Sequence, residues 1–431
     1  MADTNGALVT SEGCASISDE QGSLQFYSDG RTVWNRLHQV MPHGTGIMGG
    51  ANGSSSQEAL IVPKPSFQNI YYLFTTDEWE NNGINGMRFS VIDMNLDGGN
   101  GDVDTMHKNL LLFAPCAEKL AAVNHCNDTD EWVMGHEIGN NNFRAYLVTS
   151  NGIDSNAVVS GVGHDNPYTI QGGIQGPMKF SPDGKMICAV NDSFAQKVEL
   201  FQFDNYTGIV SNGFLMANDF PQIHAISFSP NSTKLYIGQQ GTNKLMKQFD
   251  VSVFDSVVIG NSTDIVSPIV TRGFMSLLNG SDGKLYCAEA SLILTDSMLA
   301  VIDLPDLNGT SCDFNLDELN IGTCWWGFGL PNFNESYFRT SEISNCLTGV
   351  LQLQSDLVKV FPNPSEEWIY IEGTEIKSIV LLDVFGRINL NQKIDATSLR
   401  KEINISALRN GIYTLVVETK NKTLISKIIK Q

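Results

Sequence analysis

The chain has 431 residues, 42% of them hydrophobic and 17% charged, which is enough for two or three domains or for one large β domain with an appendage. No stretch approaches the roughly 18 to 20 consecutive apolar residues of a membrane-spanning helix, which excludes a transmembrane role. Acidic residues outnumber basic residues 47 to 27, and the net charge of −20 argues against a nucleic-acid partner because it repels a phosphate backbone.

The first residues, 1–6, carry neither the basic region nor the apolar run of a secretory signal peptide. Taken alone, this start predicts a cytoplasmic protein. We expect this start to be misleading, and the chain to be a mature form, an expressed fragment or a truncated reading frame.

Residues 10–340 repeat one pattern: an alternating apolar strand, a turn rich in Pro, Asn, Asp, Ser and Gly, and a second strand rich in aromatic and β-branched residues. The clearest copies are 176–190 and 225–238, and the seventh copy is 328–333 followed by a second strand at 336–338. The first large residue of each second strand recurs after 46 to 62 residues, at Leu24, Ile70, Trp132, Met186, Leu235, Leu285 and Tyr337. These seven copies, with hardly any helix signal, predict an all-β fold: a single closed seven-bladed β-propeller over residues 1–347.

A candidate calcium loop lies at residues 97–104. Asp97, Asn100, Asp102 and Asp104 supply hard oxygen donors, the last three of them two residues apart. The loop lacks the central glycine spacing and the late glutamate of an EF-hand. A glycine-rich turn between strands is the alternative, and no other cofactor is expected.

Candidates for catalysis are weaker, and no catalytic residue is assigned. Asp77, Glu78 and Glu80 are either paired carboxylates for acid–base chemistry or a solvated acidic loop. The sequence has no HExxH and no GxSxG motif. Two loosely spaced histidine pairs, His38 with His43 and His125 with His136, are candidate metal ligands. Trp34, Trp325 and Trp326 are either exposed rings on which a sugar could stack or part of the hydrophobic core.

A change in charge marks a second domain. Residues 357–431 carry a net charge of +3, whereas the first 356 residues carry −23. We place a polar linker at 348–356. Residues 357–431 predict a small seven-stranded Ig-like β-sandwich with strands at 358–361, 368–372, 376–383, 388–391, 400–405, 411–418 and 422–429.

The large domain resembles known propellers at several motifs. Residues 180–184, Phe-Ser-Pro-Asp-Gly, are similar to the hairpin of WD40-like and YVTN-type blades. Residues 13–19, 26–35 and 328–338 resemble the propeller module of secreted proteins of the gliding-motility-associated and PKD-domain type. The resemblance covers about 10–340 and departs at the start, where those modules have at least one further strand before Gly13.

The C-terminal domain resembles the Por secretion-tail family, the sorting signal of the type IX secretion system. Its landmarks are Pro362, Asn363 and Pro364, then Gly411 with Tyr413, and a last strand that bears Lys427. The resemblance implies recognition by the type IX machinery and a secreted or cell-surface location.

Eight cysteines without a CxxC motif argue against a structural zinc site. Cys188 and Cys287 occupy the same position of two repeats and are expected to be buried free thiols. Because an exported protein meets oxidising conditions, we expect one disulfide among Cys312, Cys324 and Cys346, with Cys312–Cys324 favoured.

These features favour a non-enzymatic binding or adhesion scaffold whose ligand is an extracellular glycan or protein. The alternative is a secreted hydrolase or lyase that uses carboxylates in the propeller funnel on an extracellular polymer. The third hypothesis is a structural spacer that binds no ligand. Convergent acidic or histidine side chains in a closed pocket would favour the enzyme.

Overall fold

The computed structural model describes residues 5–164, 174–191, 197–217, 223–240, 244–270, 272–290, 298–321, 329–341, 346, 358–373, 376–383, 387–394, 400–419 and 423–431. The chain divides into two compact units, Met1–Asn345 and Cys346–Gln431. Within the described ranges, every helix is too short or too polar to cross a membrane.

Unit 1 is built from consecutive antiparallel sheets, which we call blades and number along the chain. Each runs from a first strand outward in sequence order, and in blades 2 and 3 two short strands share the outermost position. The strands of the first three blades are β1 (Ala15–Ser18), β2 (Leu24–Ser28), β3 (Thr32–Asn35) and β4 (Val40–Thr45); β5 (Ala59–Pro63), β6 (Ile70–Thr75), β7 (Met87–Asp93), β8 (Asp102–Val103) and β9 (Leu110–Phe113); and β10 (Cys116–Asn124), β11 (Glu131–Glu137), β12 (Asn142–Thr149), β13 (Gly152–Ile153) and β14 (Val158–Gly161).

Blades 4 to 6 each have four strands that pair in sequence order. Their strands are β15 (Met178–Phe180), β16 (Met186–Asn191), β17 (Lys197–Asp204) and β18 (Ile209–Ala217); β19 (Ile223–Phe228), β20 (Lys234–Gln239), β21 (Met246–Asp250) and β22 (Asp264–Ile265); and β23 (Gly273–Asn279), β24 (Leu285–Ala290), β25 (Met298–Ile302) and β26 (Phe314–Asn320). The described helices are α1 (Ser256–Asn261) and five 3-10 turns: Trp79–Asn81, Asp97–Gly99, Thr105–His107, Gly309–Cys312 and Glu335–Phe338.

The repeated turn motif joins the first two strands of a blade. In blade 4, Asp183 Oδ1 accepts a hydrogen bond from the Ser181 hydroxyl, and Gly184 follows with φ +71°. A side chain at Gly184 would place Cβ 2.2 Å from Asn205 Nδ2. The turn therefore needs glycine both for its left-handed backbone and for its close packing.

Neighbouring blades share apolar cores. The first strands β1, β5, β10, β15, β19 and β23 contact one another in that order, which gives a radial, propeller-like arrangement. Large side chains from both members fill each interface between consecutive blades: Phe26 and Leu73, Phe74 and Tyr146, Phe143 and Phe201, Leu200 and Phe249, and Tyr236 and Phe274.

The predicted seventh hairpin is wrong. The described residues of unit 1 form six blades, and residues 336–338, predicted as a strand, lie in the 3-10 helix Glu335–Phe338. The side chain of Asn334 caps this helix by accepting a hydrogen bond from the Ser336 amide. We call residues 329–341 the closing segment; Phe328, where the seventh copy was predicted to begin, lies outside the described residues.

The closing segment runs through the middle of unit 1. It meets the start of blade 1 where the Asn332 amide donates to the Cys14 carbonyl at 2.7 Å. It meets blade 3 where Asn332 Nδ2 donates to the Leu120 carbonyl at 2.8 Å and Asn334 Nδ2 donates to Glu131 at 2.7 Å. The alternating pattern of this segment therefore reflects contacts with several blades, not pairing with one strand.

Glu335 joins three further blades. Its buried carboxylate pairs with Lys179 Nζ of β15 at 2.5 Å and accepts hydrogen bonds from Ser227 Oγ of β19 at 3.1 Å and Asn279 Nδ2 of β23 at 2.6 Å. Both carboxylate oxygens thus have partners, as a buried charge requires. The first strands of blades 4, 5 and 6 are held to one side chain.

Unit 2 has all seven predicted strands. They form two sheets, ordered β27-β28-β31 and β30-β29-β32-β33, over a shared core of aliphatic side chains and Tyr413. The strands are β27 (Val358–Phe361), β28 (Trp368–Gly373), β29 (Ile376–Asp383), β30 (Ile388–Lys393), β31 (Arg400–Asn404), β32 (Gly411–Thr419) and β33 (Thr423–Lys430). The predicted linker at 348–356 lies outside the described residues.

The cysteine expectations are met only in part. Cys188 and Cys287 are buried free thiols, as predicted. Cys312 is also a buried free thiol, so the predicted Cys312–Cys324 disulfide is wrong; Cys324 itself lies outside the described residues. The physical reason is packing, because Cys312 is part of the apolar interface between blades 5 and 6.

The central ion pair makes a stability prediction. Glu335→Ala should lower the free energy of unfolding by about 3–5 kcal/mol, because it leaves the Lys179 ammonium buried without its partner. Chemical denaturation of the purified protein measures this change. The matched control is Glu318→Ala, which removes an exposed carboxylate of blade 6 and should change stability by less than about 0.5 kcal/mol. Equal effects of the two substitutions would contradict the structural role of Glu335.

Candidate functional site

A large cavity opens between blades 1 and 6, beside the closing segment. Its volume is about 1020 Å³, a size that suits a small ligand or a short polymer segment. Blade 1 contributes the turn around Asp19 and Glu20, and blade 6 contributes the turn around Asp282. The closing segment contributes Phe333, Tyr337, Phe338 and Arg339. We call this the blade 1–6 cavity.

The closing segment presents aromatic rings and one cation to the cavity. Phe333 and Phe338 meet edge to face with ring centroids 6.3 Å apart. Tyr337 is 41% exposed, and its hydroxyl donates to Glu131 at 2.7 Å. Arg339 pairs with Asp128 at 2.6 Å. Tyr337 and Arg339 are therefore each fixed by a partner that is not among the lining residues of the cavity.

A second cavity lies on the axis and is much smaller, at about 30 Å³. Lys179, His224 and residues 329–332 are among its lining groups. It has room for about one water molecule. Residues 329–332 of the closing segment thus form part of the wall of this small cavity.

A buried acidic group lies where blades 1 and 2 meet. Glu58 has no exposed surface, neither of its carboxylate oxygens has a hydrogen-bond partner among the described residues, and Arg31 Nε lies 4.0 Å away. Burial raises the pKa of Glu58 to about 10; Arg31 opposes the rise, and the carboxylates of Asp29, Glu78 and Glu118 add to it. Glu58 is therefore a protonated acid at neutral pH.

Glycine makes room for Glu58. A Cβ on Gly30, which has φ +80°, would lie 2.5 Å from Glu58 Cγ, and one on Gly49 would lie 2.8 Å from its Oε1. Burial also raises the pKa of Glu118 to about 7, although Ser56 and the Trp79 amide donate hydrogen bonds to it. Neither Glu58 nor Glu118 lines the two cavities described here.

The acidic residues 77, 78 and 80 are not one solvated loop. Asp77 and Glu78 are buried, and only Glu80 is exposed. Asp77 accepts hydrogen bonds from the Asn85 amide and the Asn81 side chain, and Glu78 accepts from the backbone and side chain of Asn52. These carboxylates hold loops between strands and do not face a shared cavity.

The calcium candidates are placed in separate contacts. Asp102 accepts from the His43 amide and approaches His43 Nδ1 at 2.6 Å, while Asp104 approaches His107 Nδ1 at 2.6 Å. Asp97 lies in a 3-10 turn, and Asn100 follows it. In the part of the chain that the structure describes, the carboxylates of Asp97, Asp102 and Asp104 do not converge on one ion position. Calcium binding stays a prediction that this arrangement does not favour.

The other sequence candidates lie apart from the cavities. His38 is hydrogen-bonded to Tyr27 at 3.2 Å, so the loop it shares with His43 does not bring the two imidazoles to a common ligand. His136 is buried against Phe143, and burial lowers its pKa to about 4. Trp34 stacks on Tyr27 at 5.4 Å. Trp325 and Trp326 lie outside the described residues.

Unit 2 brings its sequence landmarks together. The Asn363 side chain donates to the Lys427 carbonyl at 2.6 Å and accepts from the Ile429 amide at 2.8 Å, both in β33. Gly411 and Tyr413 pair with the same strand from its other edge. Pro362 and Pro364 flank Asn363 with cis peptide bonds. Residues far apart in the chain therefore converge on the last strand.

Comparison with known proteins identifies this segment. Residues 359–431 match the family described as the secretion system C-terminal sorting domain. The chain thus carries a type IX sorting domain, which implies recognition by that secretion machinery and export to the cell surface or the medium. A search of curated proteins finds no match.

Two solved structures resemble the chain at low identity. One, from Bacteroides uniformis ATCC 8492, is provisionally named a 6-phosphogluconolactonase; it is 12% identical, with a TM-score of 0.39 over 90% of this chain and 98% of that chain. The other is regucalcin, a calcium-binding protein from Agrobacterium tumefaciens C58; it is 12% identical, with a TM-score of 0.31 over 58% of this chain and 72% of that chain. At such scores neither likeness bears on what this chain binds.

Sequence reasoning missed two features. The blade 1–6 cavity combines residues that are about 320 positions apart, and the only local signal for it was the run of aromatic residues at 333–338 followed by Arg339. Glu58 gave no signal, because its burial depends on glycines from a neighbouring blade.

The raised pKa of Glu58 predicts a pH dependence. The folded chain keeps a proton that the unfolded chain releases above pH 4.5, so this group makes the folded state less stable as the pH rises from about 4.5 to about 10. Glu58→Gln removes the titration, and its stability relative to the parent should rise by about 1.4 kcal/mol per pH unit, roughly 5 kcal/mol in all, between pH 5 and pH 9.

Denaturation curves of the parent and Glu58→Gln at the two pH values test this. Glu80→Gln, which changes an exposed carboxylate nearby, is the control and should show no such trend. A constant stability difference between Glu58→Gln and the parent would show that Glu58 is ionised in the folded protein.

Proposed function

We propose that this protein is a non-enzymatic binding or adhesion scaffold, exported through its C-terminal sorting domain, and that its ligand occupies the blade 1–6 cavity. In this proposal the six blades form one ring, closed between blades 6 and 1 by the closing segment. The sorting domain folds as an Ig-like sandwich. The observation that carries the proposal is the cavity itself, with the three aromatic rings that the closing segment contributes to its wall.

The distribution of polar groups supports binding over catalysis. Asp77, Glu78, Glu58 and Glu118 are buried and do not line the described cavities. Glu12 and His224 share the axial cavity, which has room for only about one water molecule. The blade 1–6 cavity has three carboxylates but no histidine in its described lining, so it lacks the acid–base pair that we would expect of a hydrolase or lyase.

A cavity-filling substitution tests the proposed site. Screening the purified protein against an array of extracellular glycans and peptides should identify ligands, and Ser281→Trp should abolish their binding because the new ring fills the cavity at the exposed turn of blade 6. Ser311→Trp, at another exposed position of blade 6, is the matched control and should bind like the parent. Equal binding by both variants, or turnover of a screened polymer, would contradict the proposal.

Removal of the sorting domain tests the export route. A chain ending before residue 358 should no longer appear at the cell surface, because the secretion machinery has lost its signal. Unfolding of the propeller-like unit should shift by only a few degrees, because unit 1 has its own cores. Surface detection and thermal denaturation measure the two effects. Surface display of the shortened chain, or its aggregation, would contradict the assignment.

A further inference from the structure

The blade 1–6 cavity has an excess of negative charge. Asp19, Glu20 and Asp282 line it, and Arg339 is the cation that the described lining supplies. The guanidinium of Arg339 already contacts Asp128 at 2.6 Å and the Ser336 carbonyl at 2.8 Å. Asp128 therefore largely neutralises the positive charge of Arg339 before any ligand binds. The electrostatic potential of the cavity is then set mainly by the three carboxylates.

The three carboxylates accept different numbers of hydrogen bonds from neighbouring residues. Asp19 accepts hydrogen bonds from the Gln21 and Ser23 amides and from the Gln25 side chain, so both of its carboxylate oxygens are engaged. Asp282 accepts from the Tyr286 hydroxyl at 2.7 Å and from the Lys284 amide at 3.3 Å, and each oxygen retains further acceptor capacity. Glu20 is exposed and makes no hydrogen bond or ion pair with the described residues. Glu20 and Asp282 are thus the acids free to contact a ligand.

The aromatic wall favours the same kind of ligand. The faces of aromatic rings attract cations, and aromatic side chains beside carboxylates form the usual recognition site for ammonium groups. Phe333, Tyr337 and Phe338 provide the rings. The first 356 residues carry a net charge of −23, which also draws cations toward this unit.

We propose that the blade 1–6 cavity binds a cationic group, an ammonium or guanidinium, presented by a basic polypeptide. This proposal rests on the proposed binding function and narrows it to one ligand chemistry. Aromatic rings contact the alkyl stem and the charge, and Glu20 and Asp282 pair with the head group. A small free amine shares this chemistry, so the experiment separates the two sources.

Calorimetric titration of the full chain with pentalysine tests the proposal. Pentalysine should bind, and pentalysine acetylated on every side chain should not, because acetylation removes the positive charge. The double variant Glu20→Gln, Asp282→Asn should weaken binding about tenfold, since both acids keep their shape and lose their charge. Glu318→Gln removes an exposed carboxylate outside the cavity and should leave the affinity unchanged. Thermal denaturation confirms that the variants fold.

Each result of these titrations either supports or contradicts the proposed cation site. Equal affinity of the double variant and Glu318→Gln for pentalysine would overturn the proposal, because the attraction would then belong to the whole acidic surface. Binding of lysine amide as tightly as pentalysine supports the cation site and identifies a small amine as the source. If screened neutral or anionic ligands bind and Ser281→Trp blocks them while pentalysine does not bind, the cation proposal fails and the binding function stands. If Ser281→Trp blocks nothing, the binding function fails with it.

Discussion

A buried carboxylate on the axis of unit 1 organises the large domain. Glu335 pairs with Lys179 and accepts hydrogen bonds from Ser227 and Asn279, so one side chain connects the first strands of three blades. A buried ion pair is stabilising only when its geometry satisfies both charges, which requires the strands to keep fixed positions around it. Neighbouring residues of the same segment extend these contacts to blades 1 and 3.

The two cavities follow from the path of the closing segment. Where it runs along the axis, only about 30 Å³ is left, and where it forms one wall between blades 6 and 1, about 1020 Å³ is left. The segment therefore contributes to the walls of both cavities. Because the same short segment supplies both Glu335 and the aromatic wall, the stability of the domain and the shape of the cavity are linked.

The features that depend on local sequence patterns were predicted correctly. The seven strands of unit 2 and the repeated turns, such as the one at Gly184, depend on alternation and turn chemistry, and the structure confirms them. The seventh hairpin failed because residues 336–338 have a strand-like pattern but contact several blades. The burial of Glu78 was missed because its partner Asn52 comes from another loop. Asp77 is held by Asn81 and Asn85 of its own loop, a contact that the acidic pattern alone did not indicate. Cys312 was assigned to a disulfide by its position in the chain, whereas packing between blades 5 and 6 keeps it a free thiol.

Amide hydrogen exchange of the closing segment tests the central claim most directly. If this segment holds the blades together, the amides of Asn332 and Thr340, which donate to the carbonyls of Cys14 and Pro230, should exchange as slowly as the amides of the inner strand β19. Exchange of both amides at the rate of an exposed turn, with β19 still protected, would show that the blades are stable without the segment and would contradict the account.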